Sequence, residues 1–183
     1  MTLFGWWKRD DQPPGLAAWR KGWNAAVETP DGADIDALRR ELDAAAAAGA
    51  DVEIELEMLD GLMRLRDMRR QCSAGALPRL ATQHRVVGAE PCHFTAPASL
   101  PLDEMQAAGR VLATPTRAIF IGGGRTSASP WHGIRQVTRV ERDLVLLRAD
   151  HSVAAHFRFN TYGDALVAAE LARHFAAPRD RRL

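Results

Sequence analysis

The feature that most constrains the fold is a change of periodicity at Ser73. Before this residue, apolar side chains recur every three or four positions, which is the spacing of amphipathic helices. After it, proline and glycine recur every few residues and apolar residues begin to alternate with polar ones, which is typical of short strands joined by turns. A helical pattern returns at Thr161 and runs towards Pro178. This order predicts an α+β fold in which helices come first, strands follow, and one helix closes the chain.

Three helical segments are predicted before Ser73. The first, "GLAAWRKGWNAAVE", carries its larger apolar residues on one face and ends before Pro30. The next two form a helical hairpin: one begins at Asp34, a candidate N-cap, and ends at Gly49, and the other begins at Asp51. Because the link between them is short, we expect them to lie antiparallel. The expected buried face of the second hairpin helix consists of Val52, Leu56, Leu59 and Met63.

Strand-like patterns follow one another between His84 and Asn160. They are "HRVVG", "CHFTA", "GRVLATPTRAIFIG" as two strands or one broken at Pro115, "WHGIRQVTRVER", "DLVLLRA" and "SVAAHFRFN". The last alternates cleanly, as a half-buried antiparallel strand does, with Val153, Ala155, Phe157 and Phe159 on one face and Ala154, His156 and Arg158 on the other. The closing segment "TYGDALVAAELARHFAA" predicts a helix with Thr161 as its N-cap and an apolar stripe that covers the sheet.

The stretch "GRVLATPTRAIFIGGG…PWHGIRQVTRVERDLVLLR…HFRFNTYGDALVAAELARHF" resembles the bacterial pleckstrin-homology-like and GRAM-like domains, over about residues 80–176. The shared features are a Gly-x-Leu/Val-x-x-Thr-x-x-Arg-Leu/Ile-x-Phe pattern, a Pro-Trp pair before an isoleucine, and an aromatic strand before the closing helix. The matching positions are Gly109, Val111, Thr114, Arg117, Ile119, Phe120, Trp131, Ile134, Phe157, Phe159 and Leu166.

The resemblance implies a bent antiparallel sheet, or a partly open barrel, that the C-terminal helix caps. It also implies a binding function, since members of this group are mostly adaptors that bind lipid headgroups, peptides or partner domains. The headgroup sites of pleckstrin-homology domains use a lysine-rich first hairpin, whereas Arg85 is the only strong cation here between His84 and Pro97. The sequence therefore departs from the family at the place where phosphoinositides bind.

The glycine triplet 122–124, followed by Arg125, Thr126 and Ser127, has two interpretations. A phosphate-binding P-loop needs a lysine before the hydroxyl residue and a helix after the glycines. This stretch has no lysine, and Pro130-Trp131 leads into a strand-like segment. We therefore expect a hairpin turn whose glycines adopt positive φ, with its second strand beginning near Trp131.

The tryptophans are the most distinctive candidate binding residues. Four of the five lie in the first 30 residues, among Lys8, Arg9, Arg20 and Lys21: Trp6, Trp7, Trp19 and Trp23. Three interpretations stay open for them, namely burial in a core, docking of a protein partner, and contact with a membrane surface. Asp10 and Asp11 disfavour the membrane interpretation, because an anionic surface repels them.

A group of arginines in the strand region is a second candidate binding surface. Arg110, Arg117 and Arg125, with Arg135 and Arg139, would form a site for anions or acidic peptides if the fold gathered them on one side. The alternative is that they point singly to solvent, where Glu141, Asp143 and Asp150 dilute their field.

The sequence predicts no catalytic, metal or cofactor site. Cys92 and His93 are adjacent rather than at the spacing of zinc ligands, and the other histidines are scattered. There is no Gly-x-Ser-x-Gly motif and no flanking signature for a nucleophilic cysteine. We therefore expect a protein that is not an enzyme, although an unrecognised site is a third hypothesis.

Net charge and cysteine content indicate which partners and which cellular compartment to expect. The formal net charge of +1 argues against a dedicated nucleic-acid binder, and two cysteines in 183 residues favour a reducing cytoplasm. We expect a Trp-rich segment and helical hairpin over residues 1–72, a β domain with its closing helix over 73–178, and a basic tail over 179–183. The first functional hypothesis is an adaptor that binds a protein partner or itself. The second is a module that binds an anionic membrane, at the inner face of the inner membrane.

Overall fold

The computed structural model describes residues 14–82, 84–103 and 105–177 of the chain. Its helices are α1 (Pro14–Glu28), α2 (Ile35–Ala47), α3 (Glu53–Ala74) and α4 (Tyr162–Ala176). Its strands are β1 (Phe94–Ser99), β2 (Ala108–Ala113), β3 (Arg117–Gly122), β4 (Arg125–Pro130), β5 (Gln136–Val140), β6 (Asp143–Leu147) and β7 (Val153–Phe159). Short 3₁₀ helices occur at Pro30–Gly32, Arg85–Val87 and Trp131–Gly133. The predicted α+β order, with three helices before the strands and one after them, is confirmed.

The start and end of α2 follow from two residues that the sequence singles out. The Asp34 carboxylate accepts a hydrogen bond from the Ala37 amide at 2.8 Å, so Asp34 is the N-cap. Gly49 follows the helix with φ of +88°, a left-handed conformation that glycine adopts without steric cost. The chain can therefore reverse within a few residues and begin α3 at Glu53.

The predicted buried face of α3 is wrong in part. Leu59 is fully buried as expected, but Met63 is 40% exposed, and the buried stripe runs instead through Met58, Leu62 and Leu65. The reason is that α3 is covered on two sides, since α1 and α2 pack against one side and α4 against another. The spacing of apolar residues alone does not reveal this rotation of the stripe, because it depends on where the neighbouring helices lie.

The seven strands form one antiparallel sheet in the order β4-β3-β2-β1-β7-β6-β5. β1 meets β7 at only two residue pairs, Ala98 with Phe159 and Ser99 with Arg158. This short junction joins two groups of strands, β1–β4 and β5–β7, whose inner faces share one apolar cluster with α4. In β7, Phe157 and Phe159 are buried as predicted, whereas Val153 is exposed, beyond an irregularity in the pairing with β6.

The glycine triplet forms a tight hairpin turn. Gly122 pairs with Arg125, and the two residues between them, Gly123 and Gly124, have φ of +58° and +72°. Two successive positive φ angles match the twist of a two-residue hairpin. The predicted turn is confirmed, but its second strand begins at Arg125 rather than near Trp131.

The segment "HRVVG" is not a strand. Arg85–Val87 forms a 3₁₀ turn that lies over the outer face of the sheet, where Val87 and Cys92 pack with Leu112 and Ile119. Apolar residues in a short run predict burial but not conformation, because a covering turn and a strand bury the same side chains.

α4 connects the two main apolar clusters. Its N-cap is Thr161, whose hydroxyl accepts from the Asp164 amide at 3.1 Å, as predicted. Leu166 belongs to the cluster formed by α1–α3, whereas Leu171 and Phe175 belong to the cluster under the sheet. At the crossing with α3, Gly61 and Gly163 let the two backbones approach closely.

Candidate functional site

A groove of about 520 Å³ lies between β4 and β7. Buried Ile134 and Phe157 form its base, and Leu100 and Leu102 line it from the β1–β2 connection. Its polar lining residues are Asp103, Arg125, Ser127, Ser129, His132, Arg148 and His156. Ligand sites are typically concave, mainly apolar and of roughly 300–1,000 Å³, with a few polar groups that fix orientation. The groove is therefore the candidate binding site.

Both long walls of the groove are strand edges. β4 is at one end of the sheet and pairs with β3 alone among the described strands. β7 pairs with β6 along its length but meets β1 only near its C-terminal end. One hydrogen bond joins the two walls, from the Ser129 hydroxyl to the Ala154 carbonyl at 3.3 Å. Among the described strands, the outward backbone groups of Ala128 on β4 and of His156 on β7 therefore have no strand partner at the groove.

The charges of the groove are two arginines and one carboxylate among the described residues. Arg125, at the start of β4, forms an ion pair with Asp103. Arg148, after β6, donates to the Ser152 hydroxyl at 3.3 Å and to the Val153 carbonyl at 3.2 Å. No described carboxylate forms an ion pair with Arg148. Among the described residues of the groove, Arg148 is therefore a cation to which a ligand can bind without displacing an ion pair, although the charge of Asp150 lies nearby.

Three of the five arginines of the predicted cationic surface, namely Arg110, Arg117 and Arg125, are not gathered in one site. Arg125 lies in the groove, Arg110 on β2 donates to the Thr95 hydroxyl at 3.3 Å, and Arg117 lies at the far end of β3 from the glycine turn. The Arg117 guanidinium pairs with Glu90 at 2.9 Å and so fastens the covering 85–90 segment to the sheet. Partial burial by itself raises the pKa of Glu90. Hydrogen bonds from Thr116 and Thr114 and the charge of Arg117 outweigh burial and hold this pKa below its ordinary value.

The two described N-terminal tryptophans lie in the core. Trp19 and Trp23 are each 2% exposed, and their indole N–H groups donate to the carbonyls of Leu38 at 2.9 Å and Met58 at 2.7 Å. The Arg139 guanidinium lies over the Trp23 ring, 5.6 Å from its centroid. Of the three interpretations that the sequence left open, burial in a core therefore describes these two residues. Trp6 and Trp7 lie outside the described residues, as does the basic tail.

The other titratable groups form structural contacts. Within residues 14–82, 84–103 and 105–177, no three His, Cys, Asp or Glu side chains are placed to share a metal ion. His156 Nε2 lies 3.7 Å from Asp143, whose carboxylate also accepts two bonds of 2.8 Å from Arg158. Burial, with the nearby charge of Glu170, raises the pKa of the Cys72 thiol to about 11. That thiol is therefore protonated at neutral pH.

Sequence reasoning missed most of the groove. The sequence pattern predicts a turn for Thr126, Ser127 and Ser129 and gives no indication of a role for Arg148. A weak signal was present, because small polar residues directly after a tight glycine turn are compatible with an exposed edge strand. The proximity of β4 to β7 had no sequence signal, since residues 129 and 154 meet only when the whole sheet bends.

These features define an α+β chain with a partly apolar groove between two strand edges. Comparison of the chain with protein-family models, curated proteins and solved structures found no match in any of the three. No helix in the described part of the chain is long and apolar enough to cross a membrane.

Proposed function

We propose that this chain is a non-enzymatic binding module that acts through protein–protein interaction, with the groove between β4 and β7 as its binding site. The observation that carries the proposal is the groove itself, in which unpaired strand edges flank an apolar base. Exposed edges of this kind are used to recognise extended partners. The buried positions of Trp19 and Trp23 favour the groove over the N-terminal helix as the contact surface.

The proposal includes a pleckstrin-homology-like domain formed by the sheet and α4. Its support is the meander of seven antiparallel strands followed directly by one helix whose apolar side enters the sheet's cluster. A reducing cytoplasm is the proposed compartment, because neither of the two cysteines is in a disulfide bond.

Site-specific photo-crosslinking tests the proposed binding site. A benzophenone amino acid is placed at Ser127 or Arg148, which line the groove, and at Ala44, which is exposed on α2. In cells that naturally express the chain, we expect the same protein adduct from both groove positions, because a partner in the groove lies close to each.

The Ala44 position is the control, since it reports collisions that do not involve the groove. An adduct shared by positions 127 and 148 and absent at 44 supports the proposal. Equal adducts at all three positions, or none at the groove positions, would contradict it.

A second candidate function is binding to an anionic membrane surface. It is favoured by the β1–β2 connection, where Leu102 is 69% and Met105 86% exposed beside the Arg125–Asp103 pair. Exposed apolar side chains next to a cation are typical of segments that enter a lipid interface.

Flotation with vesicles of phosphatidylglycerol and phosphatidylethanolamine tests this second function. If it is correct, the double variant Leu102→Ser/Met105→Ser floats less than wild type, whereas Leu80→Ser, which changes an exposed leucine elsewhere, floats equally. The variant Trp6→Ala/Trp7→Ala separately tests the N-terminal segment. Failure of the wild-type chain to float would exclude the membrane function.

A further inference from the structure

We propose that the groove binds an extended peptide that adds as a strand to the free edge of β4 and carries an acidic side chain to Arg148. This inference rests on the proposed function and specifies the partner: an unfolded segment with alternating apolar and acidic residues. Three features of the groove support it, namely the free hydrogen-bonding groups of β4, the wall formed by β7, and the distribution of charge.

The first feature is the set of free backbone groups on β4. In an antiparallel pair, alternate residues direct their N–H and C=O groups to the partner strand and the others direct them away. In the two-residue turn, the backbone groups of Gly122 and Arg125 hydrogen-bond to each other. Ser127 and Ser129 are two and four residues further along β4, so they also direct their backbone groups towards β3. Thr126 and Ala128 consequently direct their backbone groups away from β3. Both residues are exposed, so an added strand has access to these groups.

The second feature is the wall opposite this edge. Phe159 donates its backbone N–H to the Arg142 carbonyl at 2.9 Å, on the β6 side. His156 is three residues earlier, an odd separation, so it directs its backbone groups away from β6. The Ala154 carbonyl is directed the same way, because it accepts from Ser129. β7 therefore lies across the groove from β4 and contacts it at Ser129.

This wall decides between the possible occupants. A second folded copy of the chain would bring the neighbouring strands of its own sheet with its edge, whereas β7 already approaches β4 to within one hydrogen bond, from Ser129 to Ala154 at 3.3 Å. A single extended segment has no such neighbours and lies about 4.8 Å from the strand with which it pairs. An isolated peptide segment is thus the occupant that suits a strand edge with a wall beside it.

The third feature is the distribution of apolar and charged residues. Side chains of a bound strand alternate between two faces, so every second residue would face the buried base formed by Ile134 and Phe157. Arg125 is already paired with Asp103. Arg148 donates to the Ser152 hydroxyl and the Val153 carbonyl, and the charge of Asp150 lies nearby without forming an ion pair with it. A carboxylate at Arg148 forms a charge-assisted hydrogen bond, and a cation there is repelled.

Fluorescence anisotropy with two labelled peptides tests the inference. The probes are acetylated heptapeptides, one alternating valine with aspartate and the other alternating valine with lysine. We expect saturable binding of the aspartate peptide to the full chain and binding of the lysine peptide that is at least about tenfold weaker.

Two variants, each with a matched control, measure separately how much strand addition and charge contribute to peptide binding. Ala128→Pro removes one outward N–H from β4, and Ala128→Val retains it at the same exposed site. We expect the proline variant to bind the aspartate peptide about tenfold more weakly than the valine variant. Arg148→Glu should reverse the preference between the peptides, whereas Arg40→Glu, exposed on α2, changes net charge equally and should leave the preference intact.

Circular dichroism of each variant first establishes that it is folded. Equal binding by the proline and valine variants would overturn strand addition, and an unchanged preference in Arg148→Glu would overturn the role of charge. If the wild-type chain binds neither peptide while positions 127 and 148 still crosslink a common protein, the inference is wrong and the proposed function survives. If both experiments fail, the proposed function is wrong as well.

Discussion

Individual ion pairs on the sheet give the molecule a specific response to acid. Asp143 on β6 accepts two hydrogen bonds of 2.8 Å from Arg158 on β7. Although partial burial opposes it, these bonds and the charge of Arg158 hold the pKa of Asp143 below its ordinary value of 3.8. A carboxylate whose pKa is lower in the folded state stabilises the fold above its unfolded pKa. This contribution is lost as the pH falls through the folded pKa.

The substitution Asp143→Asn should therefore lower the free energy of unfolding at pH 7 by up to about 1 kcal/mol, a modest value because Arg158 is largely exposed. Urea denaturation at pH 7 and at pH 2.5 measures the effect, and the difference from wild type should shrink at the lower pH. Asp43→Asn, at an exposed position on α2, is the control and should have little effect at either pH. A difference of equal size at both pH values would rule out the ion pair as its cause.

At the scale of elements, the contact between α3 and α4 depends on glycine. A Cβ atom on Gly61 would lie 2.9 Å from the Gly163 nitrogen and 3.0 Å from its Cα, and these atoms belong to the backbone of α4. Arg64 bonds Asp164 at 2.8 Å and Arg69 bonds Glu170 at 3.1 Å along the same interface. Glu57 accepts from the Tyr162 amide at 2.7 Å, at the N-terminus of α4. The two helices are therefore held in one register at close distance.

Gly61→Ala should lower the free energy of unfolding by roughly 1–3 kcal/mol, because the methyl group forces the helices apart. In a helix without this close contact, replacing glycine by alanine would raise the free energy of unfolding by about 1 kcal/mol. A loss of stability therefore indicates a steric clash between the two helices. Gly22→Ala on α1 is the matched control, since its Cβ would lie 3.7 Å from Leu38, an ordinary contact distance. Thermal denaturation should show Gly22→Ala unchanged or more stable. A stabilising Gly61→Ala would show that the crossing does not require glycine.

At the scale of the whole molecule, α4 contributes side chains to both the helical and the sheet clusters. Leu166 packs with the helices, while Leu171 and Phe175, on the same helix, pack under the sheet. A helix that is shared in this way cannot leave one cluster without uncovering the other. The division into two domains at residue 72 stays a prediction. Apolar side chains from both sides of residue 72 pack in the same clusters.

Leu166→Ala should lower the free energy of unfolding by about 2–5 kcal/mol, because it leaves a cavity in the helical cluster. Hydrogen exchange then reports whether the loss reaches the sheet: the slowest amides of β2 and of α3 should accelerate by the same factor. Met105→Ala, which removes an exposed side chain, is the control and should alter neither. Unchanged exchange in β2 would mean that the two clusters unfold independently.

The sequence and the tertiary structure decided different properties of this chain. Asp34, Gly49, Thr161 and the glycine triplet determined where helices and one turn begin or end, because capping and positive φ are properties of a few adjacent residues. The α+β order followed from periodicity, which is also local. The buried face of α3, the burial of Trp19 and Trp23, and the groove between β4 and β7 were decided only by the tertiary structure. Each depends on segments that are distant in the chain, and Ser129 and Ala154 meet only because the sheet bends over α4.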